Sequence, residues 1–100
     1  MYARVTIVHM APGKVNDATE LYHSSVVPAV QQREGYRGIF LLGDRQTGKS
    51  LSITLWDTEA NLMAGESGFH QAQVDKFKGL YTTPPEKELY EVLVHAEAPK

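Results

Sequence analysis

The segment Gly43-Asp44-Arg45-Gln46-Thr47-Gly48-Lys49-Ser50-Leu51-Ser52-Ile53-Thr54-Leu55-Trp56 can be read two ways, and the choice decides the fold. Its first eight residues match the phosphate-binding pattern GxxxxGKS letter for letter. That chemistry needs a helix to follow, with its N-terminal amides facing the phosphates. The residues after Ser50 instead alternate Leu, Ser, Ile, Thr, Leu, Trp, which is strand by both period and composition. Ser50 to Trp56 is therefore a strand, Gly43–Lys49 a polar turn with two glycines, and Tyr36 to Leu42 the partner strand of a hairpin. The context excludes a nucleotide loop.

Working outward, residues 2–10 are rich in β-branched and aromatic types and stop at Pro12-Gly13, the punctuation of a first strand. From Asn16 the period changes. Asp17 and Glu20 have capping-box spacing, and Ala18, Leu21, Tyr22, Ser25, Val26, Ala29 and Val30 follow at helical intervals to about Glu34. Pro28 inside this helix predicts a kink or a tightened last turn. On the far side of the hairpin, Asp57 or Thr58 can cap a second helix, broken near Gly65 and Gly68 and resumed with Phe69, Ala72, Gln73, Lys76, Phe77 and Leu80. After Thr82-Thr83-Pro84-Pro85, residues Leu89 to Ala96 alternate as a last strand.

The order βαββαβ predicts an α+β, ferredoxin-like domain over residues 1–100: an antiparallel four-stranded sheet with both helices on one face. One face of strand three carries Leu51, Ile53 and Leu55, the other Ser52, Thr54 and Trp56, while the remaining strands are apolar on both sides. Two helices cannot cover both faces, which predicts a homodimer closed through the open sheet face.

Composition narrows the function classes. The charge is −2 from 10 basic and 12 acidic residues with no basic stripe, so nucleic acid is not an expected partner. With no cysteine there is no disulfide framework, thiolate nucleophile or thiolate metal site. The N-terminal residues lack the apolar core of a signal peptide and no apolar run approaches a membrane span, which makes the cytoplasm the expected location and leaves membrane out as a partner. His9, His23, His70 and His95 form no metal-binding pair by spacing, and His9 and His95 are expected at opposite ends of the sheet, so no metal site is expected.

Several phrases resemble the antibiotic-biosynthesis-monooxygenase (ABM) type of the dimeric α/β-barrel superfamily. They are Pro12-Gly13-Lys14, Val27-Pro28-Ala29, Gly35-Tyr36-Arg37-Gly38, Thr47-Gly48-Lys49 and Leu55-Trp56-Asp57-Thr58-Glu59, and the likeness spans nearly the whole chain. The resemblance implies a barrel formed by two sheets at a dimer interface and a pocket between sheet and helices in each subunit. Its enzymes include cofactor-free oxygenases and quinol monooxygenases of aromatic substrates, haem-degrading oxygenases, and lactone or dehalogenating enzymes. The haem-degrading branch uses an Asn on strand one and a Trp and a His on helix two; the matching positions here hold Thr6, residues 63–65 and Gln73, which disfavours haem.

The chemistry the resemblance leaves open is a cofactor-independent monooxygenase acting on a small aromatic or quinol-type substrate. Such an enzyme stacks the ring, removes a phenolic proton and stabilises the anion, which then supplies electrons to dioxygen. His70 or His23 could be the base and Trp56 the stacking wall, with Tyr22, His23, Phe69 and Tyr81 binding substrate. The alternative is that Tyr22, Trp56 and Phe69 are simply core, in a non-catalytic barrel protein that binds a small hydrophobic ligand in a stress or regulatory role. Arg4 reads either as partner of an anionic ligand or, in preference, as a barrel-interface ion pair.

Overall fold

The computed structural model describes residues 1–99. Its elements are β1 (Tyr2–His9), α1 (Val15–Leu21), a π turn (Tyr22–Val26), α2 (Val27–Gln31), β2 (Tyr36–Gly43), β3 (Lys49–Trp56), α3 (Glu59–Ala64), a 3₁₀ turn (Gly65–Ser67), α4 (Phe69–Asp75) and β4 (Glu86–Glu91). The strands form one antiparallel sheet in the order β2-β3-β1-β4, the ferredoxin-like arrangement expected from the sequence. The hairpin turn is closed by the Asp44 carboxylate, whose Oδ1 accepts from the amides of Gln46 at 2.8 Å and Thr47 at 3.3 Å. Gly48 completes it at φ +79°, and Ser50 lies in β3 with no helix behind it.

The helical elements cover one face of the sheet, and they cover its polar side. Register places Arg4 opposite Thr54, Thr6 opposite Ser52 and Val8 opposite Ser50 on the helix side. Val5, Ile7, Leu51, Ile53 and Leu55 occupy the opposite face. Phe40 and Leu42 of β2 and Tyr90 of β4 join that outer face, each about half exposed. The inner core lies between the helices and the sheet margin: Met10, Ala18, Tyr22, Val26, Val30, Trp56, Leu62 and Phe77.

Local departures from the expected elements have physical causes. Helix one starts at Val15 after Lys14 with no side-chain cap, so the Asp17–Glu20 capping box does not form; Asp17 instead lies 3.8 Å from Lys14. Ahead of Pro28 the helix widens into a π turn rather than tightening, with the Val27 amide bonded to the Tyr22 carbonyl. The extra residue in that turn relieves the clash of the proline ring with the carbonyl four residues earlier. Thr58 caps α3, its hydroxyl accepting from the Asn61 amide at 3.1 Å. α4 ends at Asp75, where tighter i→i+3 bonds follow and turn Phe77 into the core. β4 is displaced from the predicted Leu89–Ala96 span because β1 ends its pairing at Tyr2↔Glu91; after the Val92 amide bonds Met1, Leu93 and Val94 are 84% and 86% exposed.

Candidate functional site

The polar inner face of β1 and β3 is the floor of a cavity whose walls come from the π turn, α2 and α4. Arg4, Thr6, Ser52, Thr54 and Trp56 form the floor; Tyr22, Val26 and Val30 form one wall; Phe69, His70, Gln73, Val74, Phe77 and Tyr81 form the other. The open space is about 40 Å³, room for a few waters. On the far side of His70 lies a groove of about 360 Å³ bordered by Gln71, Val74, Pro84, Pro85 and Lys87. Thr6 and His70 border both spaces, and the Thr6 Oγ1 to His70 Nε2 hydrogen bond of 2.9 Å joins them across the partition.

Several polar groups of the cavity are held in place by hydrogen bonds. The Tyr22 hydroxyl donates to the Phe40 carbonyl at 3.2 Å and meets Ser52 Oγ at 2.7 Å, and the Trp56 indole donates to Thr54 Oγ1 at 2.9 Å. Trp56 is 1% exposed, so its ring is enclosed on all sides but the sliver it shows the cavity. Phe77 stacks on Tyr81, with ring centroids 5.4 Å apart and planes 3° from parallel.

Arg4 is buried beneath α3 and the 3₁₀ turn. Its Nε donates to Glu66 Oε2 at 2.9 Å and its Nη2 to the Leu62 carbonyl at 2.6 Å, while Lys87 bonds the other oxygen of Glu66. A Cβ added at Gly65 would stand 2.9 Å from Arg4 Nη2, so a larger residue there would displace the guanidinium from the turn. The expectation of an interface ion pair is thereby corrected: Arg4 is paired within its own subunit, on the helix-covered face.

Burial dominates the ionisation of this site. It pushes His70 down from 6.5 to about 4, helped by the charges of Arg4 and Lys87 and opposed by Glu66. The phenols of Tyr22 and Tyr81 are both pushed up to about 12, again by burial first. Burial also raises the carboxyl of Glu66, but the Lys87 hydrogen bond and the Arg4 and Lys87 charges outweigh it and leave the group below its usual value. At neutral pH the cavity thus holds a neutral imidazole, protonated phenols and a charged guanidinium.

Of the residues singled out from the sequence, Tyr22, Trp56, Phe69, His70 and Tyr81 all border this one cavity. His23 does not: it is exposed, and its place as a substrate-binding residue or base is corrected. The helix turns its Tyr22–Val26–Val30 stripe inward and carries the next residue away from it. In the sequence Ser52 and Thr54 show only as the polar side of a strand, and Glu66 carries no signal, since its partner Arg4 is 62 residues distant. Among the described residues no group of three or more His, Asp or Glu side chains could hold a metal ion, and no helix is long and apolar enough to cross a membrane.

Comparison with known proteins agrees with this fold. No family model matches the chain. Over 58 residues it is 34% identical to uncharacterized protein Rv2558 of Mycobacterium tuberculosis H37Rv and equally to uncharacterized protein MT2635 of strain CDC 1551. That match takes in 58% of this chain, which spans only 25% of either relative. Among solved structures, a Deinococcus radiodurans protein named as an antibiotic biosynthesis monooxygenase superposes with TM-score 0.76 at 16% identity, covering 100% of both chains. The ActVA-Orf6 monooxygenase of Streptomyces coelicolor, solved with nanaomycin D, gives 0.75 at 13% identity over 99% of this chain and 92% of that one. The haem degrader MhuD of Mycobacterium tuberculosis, with two haems in its active site, gives 0.74 at 14% identity over 97% of this chain and 100% of the other. Likeness at these identities is likeness of fold.

Proposed function

We propose, from the fold this chain shares with the antibiotic biosynthesis monooxygenases, that it is a cofactor-independent monooxygenase of a small aromatic or quinol-type substrate, working as a homodimer. The observation that carries the reading is the convergence of Trp56, Phe69, His70, Tyr81 and a buried cation on one cavity between sheet and helices. Trp56 supplies the stacking wall. His70, neutral at physiological pH and hydrogen-bonded through Nε2 to Thr6 Oγ1, sits where it can hydrogen-bond an oxygen of the ring and position it. Oxidation of a quinol would follow the balance quinol plus O₂ gives hydroxyquinone plus water: one oxygen atom enters the ring, the other leaves as water, and all four electrons come from the substrate.

A ring needs more room than about 40 Å³, so binding requires α4 to move outward. That helix contributes no fully buried residue and follows Gly68 at φ +127°, which marks it as the least anchored wall. The homodimer rests on the outer sheet face, where Val5, Ile7, Phe40, Leu42, Leu51, Ile53, Leu55 and Tyr90 form an apolar surface opposite the helices.

A haem reading draws support from the likeness to MhuD. The residues present do not fit the group: the cavity is far smaller than a macrocycle, and Thr6 and Gln73 line it where the resemblance places Asn and His. One experiment separates the readings. Purified protein is titrated with a hydroquinone panel while oxygen consumption is followed, and with haem while the Soret band is followed. Turnover that falls about 10²-fold in His70→Ala and clearly in Trp56→Phe supports the oxygenase. Ligand binding without turnover supports the non-catalytic alternative, and a Soret shift supports haem. Turnover unchanged in both variants refutes the residue assignment.

A further inference from the structure

Arg4, Glu66 and Lys87 are a cluster of three charges that does not balance. One carboxylate serves two cations, Arg4 through Oε2 and Lys87 through Oε1, which leaves a net charge of one positive unit beside the cavity. Arg4 is 3% exposed, and no Asp or Glu is among the cavity's lining residues. Its Nε and Nη2 are engaged by Glu66 and Leu62, whereas Nη1 makes no hydrogen bond among the described residues. No fully buried side-chain nitrogen there lacks a partner, so Nη1 touches accessible space. A guanidinium brought this far from water with half a counter-ion is costly unless an anion completes it.

We propose that the cavity takes its aromatic ligand as an anion, a phenol bound as phenolate with its oxygen on the Arg4 guanidinium, and that Arg4 rather than His70 sets the preference for acidic ring hydroxyls. The proposal rests on the reading of the cavity as a ligand site. The phenolic O–H bond breaks, the electron pair stays on oxygen, and the proton leaves to solvent. The groups facing this position bear it out. His70 from α4 refuses a proton in the field of Arg4 and Lys87, and Tyr22 and Tyr81 stay protonated and add no competing negative charge. Arg33 contributes further positive potential at Arg4. An oxygen anion beside a guanidinium in a water-poor site is stabilised far more than in bulk water.

The test uses 4-nitrophenol, whose phenolate is yellow, with 4-nitroanisole as the same ring without an acidic proton. The bound pKa of 4-nitrophenol is read from its absorbance across a pH series. It should lie about 1–3 units below the value in water, with a matching release of protons to buffer, and 4-nitroanisole should bind at least about tenfold more weakly than the phenolate. Arg4→Met should abolish the shift. Glu66→Gln, which keeps the guanidinium and removes its counter-charge, should deepen it, so the proposal stays testable if Arg4→Met fails to fold. A bound pKa at or above that in water, an unchanged shift in Glu66→Gln, or no binding of the phenolate would each overturn it. A shift without oxygen consumption by any phenol would leave the anion site standing and remove the oxygenase; oxygen consumption with no shift would do the reverse.

Discussion

Replacing Phe40 by aspartate tests the proposed homodimer at one of the most exposed side chains of its apolar face. Phe40 lies on the outer face of β2, opposite Ile53, and is 50% exposed in the single chain. A phenylalanine that becomes covered there removes about 100 Å² from water, worth about 2.5 kcal/mol at 25 cal/mol per Å². A two-fold axis doubles that to about 5 kcal/mol, and each 1.4 kcal/mol is a factor of ten, so the dissociation constant should rise by about three orders of magnitude or more. Desolvating two carboxylates adds to the penalty. Sedimentation equilibrium from nanomolar to high micromolar protein would measure it, with circular dichroism to show that the subunit keeps its secondary structure. A Phe40→Leu variant, still apolar, should stay close to the unaltered protein. A Phe40→Asp dimer as tight as the original, or an unaltered chain that is folded and solitary at micromolar concentration, would refute the argument.

Two further expectations concern stability. Gly48 sits at φ +79°, where an added Cβ would press on the Met10 carbonyl oxygen, so Gly48→Ala should cost about 2–4 kcal/mol from backbone strain and that clash, read as a lower denaturant midpoint at unchanged slope; a loss under about 1 kcal/mol would show that the turn yields. The depressed His70 gives a pH dependence: the unfolded chain takes up a proton there between pH 6.5 and about 4 that the folded chain refuses. Stability from this group is therefore whole above that window and declines as pH falls through it. His70→Gln should flatten the decline between about pH 7 and 4.5 in chemical denaturation, leaving the contribution of Glu66 in place, and parallel curves would mean that His70 titrates normally.

Much of the architecture was legible because the decisive signals are local. Period-two alternation in β3, the glycines of its turn and the break at Gly65 and Gly68 each report on a few neighbouring residues. What stayed hidden depends on distant partners. Alternation in β3 distinguishes two faces but not which one the helices cover, and the polar face proved to be the inner one. The π turn depends on how Pro28 is accommodated, and widening and tightening are both open to a helix that loses a donor. The aromatic members of the site were found because large rings are scarce and gather between layers. Arg4 with Glu66, and Thr6 with His70, are pairs more than 60 residues apart, and no spacing rule reaches them.

The polar inner face has an evolutionary consequence. Thr6, Ser52 and Thr54 border the cavity, while the greasiest side chains of the central strands lie on the opposite surface. Thr54 anchors the Trp56 indole and Ser52 the Tyr22 phenol, so exchanging either residue would reshape the floor and loosen a core ring at the same stroke. Thr6 bonds His70 and no ring of the core, which would make it the position of the three most open to change.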